Sequence, residues 1–192
     1  MLDGTIDARG DQTVTSTFMP VPGSLQGDAF AHHLWATDRL LEFCGQLTDG
    51  QLAHHAPGTY GSIIRTLRHL VGSDRWYLTF FPTGQAPLPE IDDEGDISLA
   101  ELRAESLRNA AAWTAVLAAE PNPEADVAEY DPKWEFHVPL GFRLAQATHH
   151  GTDHRSQVCT ALTTLGIEPP EIDVWAYGEA TGRTRAIQLA PT

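Results

Sequence analysis

The chain has 192 residues, enough for one domain whose core needs no disulfides. Twelve Lys and Arg stand against 26 Asp and Glu, and the formal charge of -14 repels phosphate backbones and anionic membrane surfaces, so neither nucleic acid nor a membrane is expected as a partner. Cys44 and Cys159 lack a C-x-x-C spacing, which argues against a disulfide framework or a thiolate zinc finger; with no leader-like or bilayer-length apolar stretch, a cytoplasmic protein is expected.

Residues 1–24 are polar and Gly-rich, without helical periodicity, and are read as a flexible arm preceding one domain over residues 25–192. Asp28 is expected to cap a first helix reaching about Leu47, with Phe30, Leu34, Trp35, Leu40, Leu41 and Phe43 on its apolar stripe. Turn formers fill the stretch from Thr48 to Tyr60, including Asp49-Gly50 and Pro57-Gly58. A second helix starts at Ser62 and carries Ile63, Leu67, Leu70, Val71, Trp76, Tyr77 and Phe80 until Pro82. The run PTGQAPLPEIDDEGD then reads as a solvated connection. Ser98 with Glu101 makes a capping box for a third helix ending before Pro121. Extended structure is expected only at Trp134 to Val138, before a fourth helix from Gly141 to Leu165 with Gly166 just past its end. The tail to residue 192 is expected to be ordered, with Trp175 and Tyr177 pinning it to the helices. Four long helices around one core predict an all-α four-helix bundle.

Histidines carry the chemistry. His150 and His154 are one turn apart on the fourth helix, so both imidazoles can reach one point, and His69 sits inside the second helix. Three neutral imidazoles suit Zn²⁺, Ni²⁺, Cu²⁺ or Fe²⁺ and leave coordination positions open; spacing alone serves three unrelated histidines equally well. The tandem pairs His32-His33 and His54-His55 are expected to be solvated, since adjacent helical residues point apart. Arg155 is read as mainly structural, Gln157 as a helix-face hydrogen bonder, and Cys44 and Cys159 as small hydrophobes. Trp35, Trp76, Trp113 and Tyr77 are expected in the core, and the acids from Asp92 to Asp96 in a solvated loop, because they lack the spacing of a calcium loop. His137 is a weaker candidate for the site.

Three segments resemble the DinB/YfiT-like metal-dependent four-helix bundles, a group that includes thiol S-transferases and relatives of the mycothiol-dependent isomerase. They are AHHLWATDRLLEFCGQL leading into TYGSIIRTLRHLVGSDRWYL, then ATHHGTDHRSQV with its H-x-x-x-H-R-x-Q signature, then LGIEPPEIDVWAYGEA. The resemblance spans about residues 28–180 and implies an up-down-down-up bundle, commonly dimeric, with one divalent cation on His69, His150 and His154. Members often carry a further histidine before the last ligand, where this chain has Asp153.

Implied with the family is a Zn²⁺- or Ni²⁺-dependent transfer of a low-molecular-weight thiol, of the mycothiol, bacillithiol or glutathione class, to a small electrophile. The alternatives are hydrolysis by metal-bound hydroxide, which needs a proton-moving group such as Asp153, His149 or Asp74, and a non-catalytic metal-binding stress protein. Asp38 on the first helix is the expected hydrogen-bond partner of a ligating imidazole.

Overall fold

The computed structural model describes residues 26–81 and 88–188. The arm expected over residues 1–24 lies outside the described residues. The elements in chain order are α1 (Gly27–Cys44), α2 (Asp49–Leu52), α3 (Ile63–Leu78), α4 (Leu99–Ala118), β1 (Asp126–Tyr130), β2 (Glu135–Pro139), α5 (Leu140–Thr164) and α6 (Val174–Ala180). The chain is therefore mostly helical rather than all-α. Among the described residues, no helix is long and apolar enough to cross a membrane.

Local chemistry sets most boundaries. The Ser62 hydroxyl accepts from the Arg65 amide, and Ser98 and Glu101 cap each other, satisfying N–H groups that the first turns of α3 and α4 leave open. Gly166 adopts φ +73 just past α5, a left-handed value that costs a glycine nothing. Helix α1 differs from expectation at both ends. Gln26 occupies the N-cap without a side-chain bond, while Asp28 lies in the first turn and grips Arg183 at 2.8 and 2.6 Å, tying the tail to α1. Its other end comes at Cys44, because Thr48 and Gln51 form a second capping box that starts the short helix α2.

Helices α1 and α3 each pack against both α4 and α5. One apolar cluster is aromatic: Phe30 lies 4.7 Å from Trp113 between ring centroids, Phe81 lies 5.2 Å from Trp113, and Trp35 packs edge-on to Tyr177. The other is aliphatic, built on Leu40, Leu41, Ile63, Leu67, Leu102 and Leu162. Each large side chain removed from water there contributes roughly 1.5–3 kcal/mol. Two aromatic residues depart from expectation: Trp76 is 43% exposed, and Trp175 points to solvent, so that of the two tail aromatics only Tyr177 is buried.

The extended segment has a partner that the sequence reading lacked. Strands β1 and β2 pair antiparallel with Val127 opposite Val138 and Glu129 opposite Phe136. An isolated two-stranded ribbon is marginal in water. This one is tied to the start of α5 by the amides of Leu140 and Gly141, which donate to Ala125 and Pro123, and by an ion pair between Glu129 and Arg143.

Candidate metal centre

His69 stands on α3 and His150 and His154 stand on α5, the two helices packed against each other. One ring nitrogen from each lies within 4.8 Å of the others. The Nε2 atoms of His69 and His150 are 3.2 Å apart. Two nitrogens held at about 2.05 Å on a tetrahedral cation would be roughly 3.3 Å apart, so the His69–His150 spacing already matches a shared divalent metal, and the 4.8 Å bound on the set leaves His154 within a small side-chain adjustment of it.

Hydrogen bonds at the far ring nitrogens say which nitrogens are free to ligate. His69 Nδ1 lies 2.9 Å from Asp93 Oδ2, an acceptor, so His69 donates there and its Nε2 carries the lone pair. His154 Nδ1 likewise donates to Gln157 Oε1 at 3.1 Å. The 3.2 Å contact is one that a proton on His150 satisfies and that a cation replaces. Burial pushes the His150 imidazole down to about 4, with repulsion from His154 and His69 adding to it. Burial, then His69, also lowers His154. Both shifts favour the uncharged imidazole, the form that can give up a lone pair to a cation.

Tyr60 roofs the site from the loop before α3. Its ring stacks on His69 with centroids 4.1 Å apart and meets His154 edge-on at 5.3 Å. Its hydroxyl donates to Asp93 at 2.7 Å, and its amide donates to Gln157 at 2.9 Å. The bond to Asp93 raises the Tyr60 phenol above its ordinary value. Tyr77 borders the opposite side, edge-on to His150 at 5.6 Å.

A second, buried cluster braces α5 beside the three histidines. His33 is 0% exposed; it donates from Nε2 to both oxygens of Asp74 at 3.1 Å and accepts at Nδ1 from Arg155 at 3.0 Å. Arg155 also donates to Thr37 and Thr152. Gly151 permits this approach, because a Cβ there would lie 2.3 Å from His33 Cε1.

Several expectations need correction. Asp38 does not serve an imidazole: its carboxylate takes a two-pronged bond from Arg103 on α4, at 2.6 and 3.0 Å. The pair His32-His33 is not solvated, because His33 joins the buried cluster and His32 reaches the Ile172 carbonyl at 2.8 Å. The acidic loop is not merely solvated, since Asp93 turns inward to His69. Asp74 is engaged with His33, while Asp153 and His149 lie exposed. His137 is exposed on β2, paired with Asp126. Arg155 and Gln157 have the structural and hydrogen-bonding roles read for them, and His55 is exposed as expected. Tyr60 and Asp93 carried no sequence signal, because both act from irregular loops across long chain separations.

A mostly helical protein with three imidazoles converging between two packed helices is the class that fold and site define. The DinB family pattern matches residues 19–188, and the chain belongs to that family. The chain is also similar in structure to a DinB-like protein from Bacillus cereus ATCC 10987, with a TM-score of 0.58 and 19% identity over 77% of this chain and 96% of that one. That likeness concerns the fold. None of the curated proteins matches the chain.

Proposed function

We propose that His69, His150 and His154 hold one divalent cation, Zn²⁺ or alternatively Ni²⁺, and that the protein transfers a low-molecular-weight thiol to a small electrophile. The convergence of three nitrogens within 4.8 Å of one another carries this reading. The bound cation would supply a Lewis acid that keeps the thiol as its thiolate at neutral pH. The chain's own residues do the rest. Asp93 and Gln157 orient two of the rings, Tyr60 covers one side, and Tyr77 lines the other. In the transfer the sulfur forms a bond to the electrophilic carbon, the leaving group departs with its electron pair, and the thiol proton passes to solvent.

Engagement of the nearby carboxylates favours this reading over hydrolysis. Asp74 is committed to His33 and Asp93 to His69 and Tyr60, so neither is free to take a proton from an attacking water, and Asp153 and His149 are exposed. In the same reading the four long helices form an up-down-down-up bundle, two copies associate as a homodimer, and the protein works in the cytoplasm on a small molecule.

The test has two stages. Elemental mass spectrometry of the purified protein should give near-stoichiometric metal, lost in His69→Ala and in His154→Ala. The loaded protein is then incubated with an aryl halide and, in turn, mycothiol, bacillithiol or glutathione. Loss of the halide only with thiol supports the transferase. Turnover without thiol points to hydrolysis, and metal binding with no turnover to a binding protein.

A further inference from the structure

The geometry points to Asp93 as the positioning residue that selects which nitrogen His69 presents to the cation and strengthens that nitrogen as a ligand, with Tyr60 holding Asp93 in place. The inference rests on the metal reading above and assigns a role to a loop acid outside the ligand set.

An imidazole can ligate through either nitrogen, and the hydrogen bond at the other decides which one carries the lone pair. At His69 the deciding bond is the 2.9 Å contact from Nδ1 to Asp93 Oδ2. The same oxygen accepts from the Tyr60 hydroxyl at 2.7 Å. Two donors fix one carboxylate oxygen and the Tyr60 ring stacks on the imidazole 19° from parallel, an arrangement that sets the plane of His69 and selects the tautomer with its proton on Nδ1. His154 has a neutral amide at the equivalent nitrogen, Gln157. His69 therefore receives the anionic partner, and a carboxylate on Nδ1–H raises the electron density of Nε2 more than an amide does. The side chain of Asp93 is 24% exposed, so its charge is only partly screened by water.

A carboxylate behind a ligating imidazole is typically worth about 10–100-fold in metal affinity. Zn²⁺ affinity is measured by competition with a chromophoric chelator for the parent, Asp93→Ala, Asp93→Asn, Tyr60→Phe and His150→Ala. The expected loss is about 10–100-fold for Asp93→Ala and less for Asp93→Asn, which keeps an acceptor but drops the charge. Tyr60→Phe keeps the stacked ring and should cost least. In parallel, nitrogen-15 NMR of the metal-free parent should show His69 protonated at Nδ1, a pattern that Asp93→Ala mixes with the other tautomer while circular dichroism stays unchanged.

Zn²⁺ affinity of Asp93→Ala within two-fold of the parent, alongside loss of binding in His150→Ala, would overturn the role of Asp93 and leave the metal reading standing. No Zn²⁺ binding by the parent would overturn the metal reading and the strengthening role with it. An Nε2-protonated His69 in the metal-free parent would overturn the orienting role whatever the metal does.

Discussion

Replacing Gly151 by alanine should destabilise the protein, although the same exchange inside a helix ordinarily stabilises it. Alanine is favoured over glycine by about 1 kcal/mol in a helix interior, and Gly151 lies well inside α5. Its Cβ, however, would stand 2.3 Å from His33 Cε1, 2.6 Å from His33 Nδ1 and 2.9 Å from Arg155 Nη1. The ring has no room to retreat, because it is fully buried and held by Asp74 on one side and Arg155 on the other. Overpacking of this kind costs about 1–3 kcal/mol, and breaking a buried bond at His33 adds about 1–3 kcal/mol. Set against the helical gain, the net loss is about 1–5 kcal/mol. Urea denaturation followed by circular dichroism measures it as a lowered midpoint with unchanged slope. Gly50 in α2 is the control: nothing lies within 4 Å of its Cβ position, so Gly50→Ala should leave the midpoint unchanged or raise it. A raised midpoint for Gly151→Ala would refute the claim that His33 dictates this glycine.

Asp38→Ala should lose about 1 kcal/mol by freeing Arg103, with Zn²⁺ affinity unchanged; a fall in affinity on chelator competition would contradict the assignment of Asp38 to α4. The metal-free protein should lose stability as pH falls from about 6.5 to about 4, because unfolded His150 takes up a proton across that window while folded His150 does not. Urea midpoints against pH should therefore fall less steeply for His150→Gln, and parallel profiles would show that His150 does not contribute. Cys44 is wholly buried, with its thiol pushed up to about 12, so a maleimide should label it at neutral pH only after denaturation. Rapid labelling of the native protein at Cys44 would refute its placement in the core.

The helices were legible where a local rule governed them. Ser62, Ser98 with Glu101, and Gly166 mark helix ends by bonds or backbone angles that depend on a few neighbouring residues, and each lies where the sequence pattern puts it. Helix α2 obeys the same rule through Thr48 and Gln51, but Asp49-Gly50 masks it as a turn. Strand β1 was missed because DVAEY makes sense only beside β2, and pairing is not a local property. The convergence of His150 and His154 follows from helical periodicity. What surrounds them does not: Asp93 reaches His69 from a loop, Gln157 meets Tyr60 across 97 residues, and His33 meets Arg155 across 122. Asp38 was misassigned for the same reason, since a helix wheel says which face a carboxylate is on but not which helix will supply its arginine.

The three imidazoles belong to two helices, with His69 and His150 separated by 81 positions along the chain. A cation held by all three is thus a cross-link that exists only in the folded protein. Ligand that binds the native state alone adds RT ln(1 + [L]/Kd) to its stability, about 4 kcal/mol at a thousand-fold excess over Kd. If the proposed cation binds there, heat tolerance of this protein becomes a gauge of free metal, and the same chain is a sturdier molecule where metal is plentiful than where it is scarce.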